Sequence, residues 1–215
     1  MSLMASQKEG SYEALKPGTY HAVCYSVIDL GTHDTEYKGL KSKKHKIRIR
    51  FEIPSERISI DGKDLPSGIS KKYTLSLSEK SDLYKHLIQW RGKPFTKDEL
   101  KGFDVFNVVK ANCLLQILND VTKENTTYAF IAGIMPLMKG MSKLAPENPV
   151  VTYSLMSNGI NIPETIPDKI KKEIEESDEI KAMRNAGNNP ALAAAQEEYG
   201  IGQEHEESND EIAPF

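Results

Sequence analysis

The 215-residue sequence has two cysteines, one tryptophan and no apolar run near the roughly 18 residues that a spanning helix requires. No membrane association is expected. Met1 to Met4 carries neither a basic n-region nor an apolar h-region, so no signal peptide is expected there. Cys24 and Cys113 each sit in a strand-like apolar stretch, with no C-x-x-C spacing. They read as buried free thiols of a reducing compartment rather than as a disulfide. The histidines at positions 21, 33, 45, 86 and 205 show no ligand spacing, so no metal and no cofactor are expected. Phosphate-loop, H-E-x-x-H and G-x-S-x-G motifs are all missing. The carboxylates form no pattern that demands paired acid–base work, and an enzyme is not expected.

What is present is a division of charge. Residues 1–150 hold 23 Lys and Arg against 17 Asp and Glu, net +6; residues 151–215 hold 5 against 14, net −9. A basic body suits a polyanion and an acidic end does not.

The body reads as five strands, with one helix between the third and fourth. Thr19–Leu30 is rich in β-branched and aromatic residues between Pro17-Gly18 and Gly31. In His45–Ile53, Ile47, Ile49, Phe51 and Ile53 alternate with Lys46, Arg48, Arg50 and Glu52, giving one apolar and one mostly basic face. Ile69–Ser78 alternates again through Tyr73, Leu75 and Leu77. A helix follows, capped by Ser78 or Ser81, with Leu83, Leu87 and Trp90 on one stripe and a stop at Arg91-Gly92. Val108–Leu118 and Thr126–Met135 complete the set as a possible hairpin. This order is that of a mainly β, OB-fold-like, five-stranded Greek-key barrel; the alternative is an open sheet with one helix packed on it.

The expected organisation is a flexible segment over 1–14, a nucleic-acid-binding barrel over 15–140 and a linker or added strand over 141–162. A charged helix over 163–185, with Ile166, Ile170 and Ile174 as its stripe, and a flexible acidic tail over 186–215 follow. From Gln196 onward there are seven acids and no Lys or Arg, too little apolar surface to fold alone.

The strongest basic feature runs from Tyr37 through Lys38, Lys41, Lys43, Lys44, Lys46, Arg48 and Arg50, with no acid between Lys38 and Arg50. Lys71, Lys72 and Tyr73 open the next strand. In a barrel of this order these segments form the ligand face. Cationic side chains there would track phosphates, and Tyr37 and Tyr73 would offer faces on which bases stack. Trp90 reads as core. Tyr128 and Phe130 share a face that fits core and ligand contact equally.

Two resemblances point the same way. Asn209-Asp210-Glu211-Ile212-Ala213-Pro214-Phe215 resembles the acidic tip of bacterial single-stranded DNA-binding proteins, in which acids precede a terminal Ile-Pro-Phe. Here Ala213 separates Ile212 from Pro214. The body, through Val27–Gly31, Lys46–Pro54, Leu87–Thr96 and Asn112–Leu115, is similar to the single-stranded DNA-binding proteins of tailed bacteriophages. The resemblance implies an OB-fold, no catalysis and no cofactor, and a host-cytoplasmic setting. It also implies a role in DNA replication or recombination, and a tail (Asp210, Glu211, Ile212, Pro214, Phe215) that recruits partner proteins and can lie in the basic groove. A homo-oligomer is compatible with it. A protein-interaction adaptor within such a complex is the alternative.

Overall fold

The computed structural model describes residues 14–60 and 62–187. The tail residues Asp210, Glu211, Ile212, Pro214 and Phe215 lie outside them.

Strand β1 (Gly18–Tyr37) is longer than the turn signal at Gly31 predicts. Gly31, at φ 78°, absorbs a bulge in the pairing with β2 (Leu40–Ile60) and does not end the strand. The two strands therefore run on as one hairpin to a two-residue turn at Lys38-Gly39, both at positive φ, closed by the Tyr37–Leu40 pair. β2 likewise passes Pro54 by a second irregularity, between Ile53 and Arg57, and pairs with β3 (Lys63–Thr74).

Helix α1 (Asp82–Arg91) follows the sequence signals closely. The Ser81 hydroxyl accepts from Tyr84 N, and Gly92, in the left-handed region, returns its N–H to the last carbonyls. A single 3-10 turn at Val105–Val108 then stands where the fourth strand was expected to begin. Strands β4 (Asn112–Val121) and β5 (Thr127–Met135) form an antiparallel hairpin.

The sheet order is β3-β2-β1-β4-β5, and the sheet curls into a five-stranded antiparallel half-barrel. Alternate residues fill its inside: Ala22, Cys24 and Val27 of β1, Ile47 to Ile53 of β2, and Cys113, Leu115 and Ile117 of β4. Helix α1 closes one end with Leu83, Leu87 and Trp90. Both cysteines are buried free thiols. Burial drives the Cys24 and Cys113 thiols well above the usual range, which keeps them protonated and inert.

A second apolar cluster lies on the outer face of β1. Strand β6 (Val151–Tyr153) pairs parallel with Ser26–Ile28, and Ile28, Leu30 and Tyr153 are covered by Ile166, Ile170, Ile174 and Ile180. A short turn of helix α2 (Leu155–Asn158) precedes this cover. The charged helix expected over 163–185 is two helices, α3 (Asp168–Glu175) and α4 (Asp178–Gly187). The break is at Ser177, which is fully buried and whose hydroxyl accepts from Ile180 N to cap α4. Among the described residues no helix is long and apolar enough to cross a membrane.

Candidate nucleic-acid interface

Period-two alternation decides what β2 and β3 present. Ile47, Ile49 and Phe51 point inward, so Lys46, Arg48 and Arg50 point outward, and Arg48 lies opposite Lys72. The same register places Tyr73 opposite Ile47 and Lys71 opposite Ile49, on the inward side. Tyr73 is 3% exposed, and its hydroxyl is 2.8 Å from His86 Nδ1. A base cannot stack on it, which corrects the expectation for Tyr73. The parity already visible in the sequence carried that signal, because Tyr73 falls in step with Ile69. Burial pushes the Tyr73 hydroxyl far above its ordinary range and lowers His86 to about 4, so both are neutral. Lys71 is half-buried at the seam of the half-barrel. Its ammonium lies 5.7 Å from the centre of the Tyr73 ring and donates to the Ile131 carbonyl of β5 at 3.4 Å. It spans the gap between the two sheet edges, a structural task that sets it apart from its neighbour Lys72.

The outward basic face is in part covered. Glu173 of α3 accepts from Arg48 Nη2 at 3.0 Å and from Lys72 Nζ at 2.5 Å. Burial would raise its pKa, but the two cations outweigh that and hold the carboxyl below the usual range. Asp178 of α4 takes Lys43 Nζ at 2.6 Å and raises the lysine pKa. Next to it, Glu179 accepts from Thr32 N and Thr32 Oγ1 at 2.8 and 2.6 Å, and His45 Nε2 meets Asp29 Oδ1 at 2.6 Å. Lys43, Arg48 and Lys72 are thus committed to acids of the C-terminal helices. Arg50 lies over Tyr25, with its guanidinium 4.8 Å from the ring centre. The sequence showed the acids of this helical segment but not that the second apolar cluster would bring them onto the basic strands.

What remains open is the projecting β1–β2 hairpin. Tyr37 at its turn is 70% exposed, with Lys38 Nζ 5.4 Å from its ring centre. Lys41 and Lys44 are exposed, Lys46 is half-buried, and none of the three makes an ion pair among the described residues. On the β4–β5 hairpin, Tyr128 and Phe130 share the outward face with Leu118, at 42%, 36% and 42% exposure. Their ring centres are 6.2 Å apart. The structure therefore places both rings at the surface, a point that their sequence parity left open.

Among the described residues no group of three or more His, Cys, Asp or Glu is arranged to hold a metal ion. The chain matches no family model, no curated protein and no solved structure.

Proposed function

We propose that this protein binds single-stranded DNA on an OB-type barrel, in support of replication or recombination, and that its acidic end recruits partner proteins. The observation that carries the reading is the pair of hairpins. In OB barrels the β1–β2 and β4–β5 loops flank the face that takes oligonucleotides. Here both present exposed aromatics, Tyr37 on one and Tyr128 and Phe130 on the other, and the first also carries Lys38, Lys41 and Lys44. Rings that accept any base, beside ammonium groups that take phosphates, are the components of sequence-tolerant single-strand binding. The connectivity supports the barrel type: β1 pairs with both β2 and β4, α1 stands between β3 and β4, and Lys71 links β3 to β5.

The test is fluorescence anisotropy of labelled oligo-dT across a salt series. Each phosphate contact on a single strand contributes about 0.7 to the slope of log affinity against log salt. Replacing Lys38, Lys41 and Lys44 by Glu should therefore cut the slope by about 2. Absence of any complex with the unaltered protein at low salt rejects the proposal, as does a triple variant with unchanged affinity and slope.

A further inference from the structure

Strand β1 carries one residue too many where it passes the middle of β2. Cys24 pairs with Phe51 and Ser26 with Arg50, so Tyr25 has no opposite number. An inserted residue of this kind bends the strand and re-aims a side chain. Cys24 and Val27 still point into the half-barrel, while Tyr25 belongs to neither apolar cluster. It is nonetheless only 7% exposed. Arg50 covers it, with Cζ 4.8 Å from the ring centre. Its hydroxyl reaches β3, where a Cβ added to Gly68 would stand 3.5 Å away. The ring thus spans from β1 across β2 to β3 on the outward face, and the Arg50 guanidinium is laid on top of it.

The surroundings of Arg50 leave its nitrogens to an anion. Arg48, two residues before it, is committed to Glu173. Arg50 makes no hydrogen bond and no ion pair among the described residues, and none of its nitrogens is sealed from solvent. Glu52, two residues after it, is fully buried, and its carboxylate is taken up by Glu147 N, Asn148 N and Asn148 Nδ2. Ser70, directly opposite Arg50 on β3, is exposed. Its hydroxyl accepts from Arg48 Nη1 at 3.2 Å and keeps its own proton to donate. A guanidinium already resting on a ring loses less freedom on binding than a solvated lysine does. Its planar fork also matches two oxygens of one phosphate.

We propose that Arg50 is a backbone-phosphate anchor for the nucleic acid, with Ser70 donating beside it, and that Tyr25 is the residue that positions it. The anchor rests on the single-stranded DNA reading for the identity of the polyanion. Arg50 lies roughly 33 Å along β2 from Leu40, at about 3.3 Å per residue, so it holds a different stretch of the nucleic acid from the one that meets Tyr37. The outward cations therefore divide by role. Arg48, Lys72 and Lys43 hold the C-terminal helices, whereas Arg50 is laid out for a ligand.

Oligo-dT binding is measured by anisotropy across a salt series for the full chain and for Arg50→Gln, Tyr25→Leu, Tyr25→Phe and the double variant of Tyr25→Leu with Arg50→Gln. Arg50→Gln should weaken binding roughly tenfold and reduce the slope of log affinity against log salt by about 0.7, the share of one phosphate. Tyr25→Leu should cost a similar factor, and Tyr25→Phe, which keeps the ring, should recover most of it. Adding Arg50→Gln to Tyr25→Leu should cost little more, because the arginine has already lost its seat. In the full chain the Arg50 side-chain protons should resonate upfield under the ring current of Tyr25, a reading of the stack that stands even where Tyr25→Leu does not fold. Unchanged affinity and slope in Arg50→Gln, with the full chain still binding, overturns the anchor and leaves the hairpin reading standing. A loss of affinity at an unchanged slope overturns it too, because the guanidinium then meets a base. Losses that multiply in the double variant, or no upfield shift, overturn the role of Tyr25. Absence of any complex with the unaltered chain rejects the hairpin reading and the anchor together.

Discussion

Glu173, on α3, accepts a hydrogen bond at 3.0 Å from Arg48, on β2, across 125 residues of chain. That contact is half of a fork that also takes Lys72, and it fixes the helical pair on the outer face of the sheet. Arg48 is 18% exposed at its side chain, and its Nε already lacks a partner. Glu173→Ala should therefore destabilise the protein by about 1–3 kcal/mol in urea unfolding. Lys72→Ala, at an exposed position, should cost less than about 1 kcal/mol. With Arg48 and Lys72 released, the Glu173→Ala variant should also bind oligo-dT more tightly at low salt. Equal stability losses for the two variants would contradict the burial asymmetry.

The same docking depends on a missing side chain. A Cβ on Gly31 would lie 2.5 Å from Ser177 Cβ and 2.8 Å from Leu155 Cδ1, at a φ of 78° that L-residues rarely adopt. Gly31→Ala should cost about 2 kcal/mol or more and raise protease sensitivity of α3 and α4 ahead of the half-barrel. Uniform protease resistance would show that the helices do not depend on this close approach.

Two tyrosines separate structure from binding. Tyr73→Phe removes a buried hydroxyl from His86 and should cost about 0.5–1.5 kcal/mol of stability with no change in oligo-dT affinity. Tyr37→Ala should leave the melting temperature in place and weaken oligo-dT by about 1–3 kcal/mol, the range for loss of one stacking platform. The reverse pattern would place the stacking surface inside the sheet and defeat the register argument.

Two histidines should give stability opposite slopes with pH. His86 is lowered to about 4, chiefly by burial and then by Lys71. The unfolded chain takes up that proton near pH 6.5 while the folded chain resists, so stability falls from pH 6.5 to 4, by on the order of 2–3 kcal/mol when complete. His45 is raised, first by its hydrogen bond to Asp29 and then by the charges of Asp29 and Glu179. Its contribution is whole below pH 6.5 and is lost as pH rises through the higher folded value. Urea unfolding from pH 4 to 9 should show both limbs. His45→Gln should flatten the alkaline one alone, and a steeper alkaline fall in that variant would reverse the assigned sign.

Glu52 is fully buried and accepts from Glu147 N at 2.6 Å, Asn148 N at 2.8 Å and Asn148 Nδ2 at 2.7 Å. It ties the segment after β5 to the middle of β2. Glu52→Gln exchanges one acceptor for a donor facing backbone N–H groups, and should cost about 1–3 kcal/mol and expose residues 146–150 to proteolysis. Unchanged cleavage there would show that this segment is held by other contacts.

The sequence by itself determined whatever depends on neighbours along the chain. Gly92 ends α1 and one of two serines, Ser78 or Ser81, starts it, because a cap needs only a hydroxyl and a left-handed residue at set offsets; the structure selects Ser81. The alternation of Ile47 to Ile53 with Lys46 to Glu52 assigned the two faces of β2, because a strand turns over every second residue. Element ends were less legible. Gly31 reads as a stop and is a bulge, since only the partner strand decides whether pairing resumes beyond a glycine. The tertiary structure alone decided what the basic face meets. Outward parity makes Arg48 and Lys72 look free. Their pairing with Glu173 exists because Ile170, Ile174 and Ile180 cover Ile28 and Leu30, and burial of that apolar surface carries the acids with it. Contacts between residues a hundred positions apart follow from packing, which no local pattern records.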